Sequence, residues 1–159
     1  MAPLMKFPVR GSIAALLVLA CAPPALAAPV TVNLRIEGPN RTVYEGPVTT
    51  DVRAFRFTGE TTEHQCDGTA AVGGPSATPV PTSNAALMAA AEREGFAVRG
   101  QWFAGFGASF SELGGEPVAW DGATGRYLVE YFDNPPASLG GCAQGVVDGS
   151  QVLYAYSDG

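Results

Sequence analysis

The chain has 159 residues, nine basic and fifteen acidic side chains and one histidine, for a formal net charge of −6. Hydrophobic residues make up 47%, enough for a single core in one domain, and 20 glycines with 13 prolines supply frequent turns. An acidic chain without a basic cluster is repelled by phosphate backbones and anionic lipid surfaces, which excludes nucleic-acid binding and polybasic membrane docking.

Residues 1–27 read as a secretory signal peptide. Lys6 and Arg10 precede the apolar run Ile13-Ala14-Ala15-Leu16-Leu17-Val18-Leu19-Ala20, and Ala25-Leu26-Ala27 has the small-x-small pattern of a cleavage site. The run is too short for a spanning helix and is broken by Pro23-Pro24. A rival reading takes Val18-Leu19-Ala20-Cys21 as a lipobox, with Cys21 lipidated and the protein anchored at the cell surface. Cleavage after Ala27 leaves residues 28–159 as one domain. Losing Lys6 and Arg10 leaves seven basic against fifteen acidic residues, a net charge of −8, and no lysine.

Val30, Val32, Leu34 and Ile36 alternate with polar residues, which predicts a strand with one buried face. Gly38-Pro39-Asn40 turns the chain into a second strand over residues 42–50, where Pro47 implies an edge position or a bulge. Residues 51–57 are a candidate short strand, and residues 73–81, rich in Gly and Pro, have loop composition. Thr82 or Ser83 can cap a helix over residues 84–94, with Leu87, Met88 and Ala91 on one side and Gly95 as its left-handed stop. Strands are expected over residues 96–104, 108–113 and 127–132, and after the Asp148-Gly149 turn, where Val152, Tyr154 and Tyr156 share a face. Helices do not alternate with strands, so a doubly wound parallel sheet is excluded and the class is α+β, a mixed sheet packed on one helix.

Removing Cys21 with the leader leaves Cys66 and Cys142, an even pair in an oxidising compartment, read as a disulfide. His64 is the sole imidazole. Its neighbours Cys66 and Asp67 invite a metal reading, but a zinc site needs three or four ligands and Cys66 is committed to Cys142, so no metal is expected. Gly-x-Ser-x-Gly, Walker, His-Glu-x-x-His and EF-hand patterns are absent from the sequence. Pairing Glu112 with Glu116 or Asp121 would suit a hydrolase, yet in an acidic chain solvated surface charge is the simpler account, and a hydrolase ranks last. Eight aromatics crowd into about thirty residues from Trp102 to Phe132. Most are expected in the core. Trp102, Phe106 and Trp120, in the less regular stretches, are the ligand-contact candidates, together with Ser138 in the loop after Pro135.

The segment Tyr127-Leu128-Val129-Glu130-Tyr131-Phe132-Asp133-Asn134-Pro135-Pro136, continuing to Val147-Asp148-Gly149-Ser150-Gln151-Val152-Leu153-Tyr154-Ala155-Tyr156, resembles the transcobalamin-like C-terminal domain. So do the opening strand, the His64-Gln65-Cys66-Asp67-Gly68 run and the capped helix after Thr82. The resemblance spans residues 30–156 and implies a β-grasp-like sheet embracing one helix, of the group that binds soluble ligands, with exported bacterial members. Cobalamin is the cofactor that it raises. The helical barrel that forms the other wall in vertebrate cobalamin carriers has no counterpart in this sequence, so no resident cofactor is expected. The expectation is an exported, non-catalytic module binding a small molecule, with a cell-surface structural or protein-protein adhesion module as the alternative.

Overall fold

A computed structural model describes residues 27–69 and 76–157. Most of the expected leader, Cys21 and the Gly73-Gly74-Pro75 stretch lie outside the described residues.

The chain enters at β1 (Val30–Glu37), whose Val32, Leu34 and Ile36 are fully buried while the intervening Thr31, Asn33 and Arg35 face solvent. β2 (Thr42–Thr50) returns antiparallel, placing Val48 beside Val32 and Tyr44 beside Ile36. Pro47 has no amide proton to give to a ladder, and β2 is accordingly one of the sheet's two edge strands. β6 (Tyr127–Phe132) and β7 (Gln151–Ser157) form a second antiparallel pair, and β7 lies parallel to β1 with Val152 opposite Leu34 and Tyr154 opposite Ile36. The order β2-β1-β7-β6, with the first and last strands parallel at the centre, makes a mixed sheet, and with one helix packed on it the fold is α+β, as expected.

Helix α1 (Ser83–Glu94) packs against β1 and β2. Thr82 is its N-cap, its Oγ1 accepting from Ala85 N at 3.2 Å. Gly95, at φ 73°, ends it by donating to Ala91 O. The apolar stripe expected at Leu87, Met88 and Ala91 understates its burial, because Ser83 to Leu87 and Ala89 to Ala91 are all buried and Met88 is partly so. The alanines let neighbours approach from more than one side. The sheet covers one flank, and the segment 141–146 covers the start of the helix through Ser83 N to Gln144 O and Asn84 N to Gly141 O, both 3.0 Å.

A separate antiparallel sheet holds β3 (Val98–Phe103), β4 (Gly107–Leu113) and the two-residue β5 (Glu116–Pro117). Its Phe110 meets Phe55, Phe57 and Tyr154 edge-on at about 6 Å, which joins the two sheets in one core. Residues 51–57 are not a strand: Phe55 makes a lone bridge with His64, and Phe55 and Phe57 serve as buried anchors of an irregular segment. Cys66 and Cys142 form the expected disulfide, closing a 76-residue separation. Among the described residues, no helix is long and apolar enough to cross a membrane.

Candidate ligand-binding cleft

Where the second sheet meets the inner face of β6, a cleft of about 390 Å³ opens beside α1. Its mouth carries three large rings that face solvent: Phe106 is 73% exposed, Trp120 72% and Tyr127 44%. Phe106 sits at the tip of the β3–β4 turn, between Gly105 and Gly107, whose φ angles of 79° and 105° suit glycine alone. Trp120 lies against Gly122, where an added Cβ would stand 3.1 Å from the indole. The turn that follows is held by Asp121, whose side chain accepts from Ala123 N at 2.9 Å and Thr124 Oγ1 at 2.7 Å. Val118, Leu128 and Leu139 line the walls.

The floor is polar. In β6 the row that faces the core is Leu128, Glu130, Phe132, and Glu130 is paired with the fully buried Tyr154 of β7. Burial raises the Glu130 carboxyl to about 7, against a smaller downward pull from Ser83. Ser83 Oγ contacts both Glu130 Oε1 and, at 3.1 Å, Gly141 O. A serine hydroxyl has one proton and cannot donate to two acceptors at once. Both contacts are satisfied together when Glu130 is protonated and donates a hydrogen bond to Ser83 Oγ, which in turn donates to Gly141 O. That arrangement agrees with the raised carboxyl.

Beside it, Tyr154 donates to Asn84 Oδ1 at 2.7 Å, and Asn84 Nδ2 points at Cys142 Sγ, 3.5 Å away. Burial holds the Tyr154 phenol well above its ordinary value, with the Glu130 charge acting in the same direction. Gly141 closes this corner. A Cβ there would lie 2.3 Å from Asn84 Oδ1 and 2.9 Å from Glu130 Oε2, so the loop can approach only because it carries no side chain.

Of the ligand-contact candidates from the sequence, Phe106 and Trp120 lie at this mouth. Trp102 does not. Its ring stacks on His64 at 4.3 Å and 7° and on Phe55 at 6.0 Å, lining a separate groove with Glu63 and Gln65. Ser138 is exposed, one residue before Leu139 of the cleft wall. His64 is largely covered, with Nε2 3.4 Å from Glu60, a carboxylate on its own irregular segment. Among the described residues, no three His, Cys, Asp or Glu side chains gather as a metal site would need. Glu112, Glu116 and Asp121 are each engaged locally: Glu112 with Arg99, Glu116 with Asn40 and Arg41, and Asp121 in its own turn.

Neither a protein-family model nor a curated protein matches this chain. Glu130, Ser83 and Asn84 were not singled out by the sequence reasoning, although one signal was present: an acid at the middle of the Leu128-Glu130-Phe132 row, where alternation calls for an apolar residue.

Proposed function

We propose that this chain is an exported, non-catalytic β-grasp-like binding module whose small-molecule site is the cleft between β4, β6 and the segment 139–142. The observation that carries this reading is three solvent-facing rings around one recess with a single carboxyl at its floor. Large exposed aromatics lose favourable burial unless something covers them, and an apolar recess with a few convergent polar groups is the usual form of a ligand site. A cleft of about 390 Å³ suits a molecule of drug size or smaller; a corrin with its nucleotide tail is larger than that and would meet this wall along one face. The export reading draws on the leader pattern and on the Cys66–Cys142 bond, which oxidising compartments favour.

A non-catalytic role is supported by the surroundings of the two serines by the cleft, Ser83 and the wall residue Ser109, since the sole imidazole lies elsewhere. Ser83 lies beneath the floor and is engaged by Gly141 O, while His64 belongs to the Trp102 groove. The adhesion alternative needs a free strand edge. β6's outer edge is taken up at its C-terminal half, with Phe132 N on Pro135 O at 2.9 Å and Ala137 N on Glu130 O at 2.8 Å, and on the edge strand β2 Pro47 has no amide proton to offer a docking strand.

The test is a thermal-shift and tryptophan-fluorescence screen of small molecules on residues 28–159, repeated with Trp120→Ala. A hit should stabilise the protein and lose its effect in the variant. If no compound moves either signal, or if hits bind the variant unchanged, the cleft is not the site.

A further inference from the structure

We propose that the ligand of this cleft is an organic cation, an alkylated ammonium group on a small apolar body, seated among Trp120, Phe106 and Tyr127 with its charge toward Glu130. This rests on the reading of the cleft as a binding site and adds the chemical class of what it takes.

Three observations select that class. The first is the ring set. Ring faces attract cations and do so most strongly where water is displaced, with tryptophan the best of the three ring types. The second is the sign of charge. None of the residues lining the cleft is Lys, Arg or His, and Glu130 is its only acid, in a chain of net charge −6. An anionic ligand would meet no counter-charge there, whereas a cation meets both rings and a carboxyl. The third is how the polar groups are used. Tyr154 gives its proton to Asn84 Oδ1, so apart from Glu130 and Asn84 Nδ2 the side-chain polar groups left for a neutral, hydroxyl-rich ligand reduce to Ser109 on the wall.

The groups facing Glu130 are few enough to follow its proton. From β7 comes the Tyr154 phenol, from α1 the Ser83 hydroxyl, and from the segment 139–142 the Gly141 backbone. The nearest arginine along β6, Arg126, is turned over the Tyr156 ring at 5.1 Å and donates to Tyr156 O. As a cation seats, Glu130 releases its proton to solvent and Ser83 turns its single proton from Gly141 O to the new carboxylate. Binding is thus coupled to loss of one proton, and affinity rises with pH until Glu130 is already ionised in the free protein.

The experiment is calorimetric titration of residues 28–159 with choline, whose charge is independent of pH, and with its uncharged carbon isostere dimethylbutanol. Expected are a preference for choline of about tenfold or more above neutrality and a choline affinity that falls up to about tenfold for each pH unit below 7, where burial keeps Glu130 protonated. Titrations in buffers of different ionisation enthalpy should report proton release. Glu130→Gln, which keeps the shape and a donor toward Ser83, should reduce the preference to what the rings alone supply and abolish the pH dependence, with its circular dichroism unchanged. Equal binding of the two probes, a pH dependence that survives in Glu130→Gln, or no choline binding to the wild type overturns the proposal. If the isostere binds equally well and Trp120→Ala removes it, the cleft remains a binding site and the cation class alone is wrong. If no probe and no screened compound perturbs Trp120, both readings fall.

Discussion

Replacing Glu130 by glutamine is the sharpest test of how the floor of the cleft is built, because it separates one titration from every other in the molecule. In the unfolded chain the carboxyl ionises at its ordinary 4.5, and in the fold burial lifts it to about 7. Between those values the folded protein holds a proton that the unfolded chain has released, so raising the pH favours unfolding across that window and has no further effect above it. A displacement of this size corresponds to about 3 kcal/mol, and water entering the open cleft screens part of it, leaving about 1–3 kcal/mol. Glutamine cannot ionise and escapes the penalty. Urea unfolding of both proteins from pH 4 to pH 8 should show the variant gaining about 1–3 kcal/mol on the wild type as the pH rises, with the difference level above neutrality. A difference independent of pH would mean that Glu130 titrates as it does in water, and the account of the Ser83 contacts would fail with it.

Converting Cys66 and Cys142 together to serine should lower the unfolding free energy by about 4 kcal/mol, the chain-entropy value for so long a loop; a loss under about 1 kcal/mol in denaturant would contradict it. Gly141→Ala drives a methyl group into Asn84 and Glu130 and should destabilise by about 1–3 kcal/mol, with a thermal melt unchanged from wild type as the refuting result. Thr82→Ala removes the cap on Ala85 N and should cost about 1–2 kcal/mol, which Thr82→Ser should largely restore in the same melt.

The strands and the helix were legible wherever one face meets the core and the other meets water. Val32, Leu34 and Ile36 announce β1 by alternation alone, and Thr82 and Gly95 mark both ends of α1 in composition. Residues 51–57 misled because Phe55 and Phe57 also alternate. Their backbone, however, finds one bridge and no ladder, and pairing is a property of distant segments that a local pattern does not carry. The helix was harder to orient than to find, since alanine is small enough to be buried against either neighbour. At the cleft, Phe106 and Trp120 stood out because glycine turns surround them, whereas Trp102 belongs to the ladder of β3, opposite Ala108, and packs on His64. Glu130 was hidden for another reason. In an acidic chain one more carboxylate carries little information until its register places it across from Tyr154.

The disulfide has a bearing on when the recess exists at all. Cys142 is part of its lining, and Cys66 stands over the helix cap, its carbonyl accepting from Thr82 Oγ1 at 3.2 Å. With free thiols, the 139–142 stretch would be tethered to the helix start by hydrogen bonds alone, and the wall shared by Gly141 and Glu130 would loosen. On the proposed reading, closing the Cys66–Cys142 bond would firm the wall of the recess, and a chain with free thiols would hold a ligand there less well than the oxidised one.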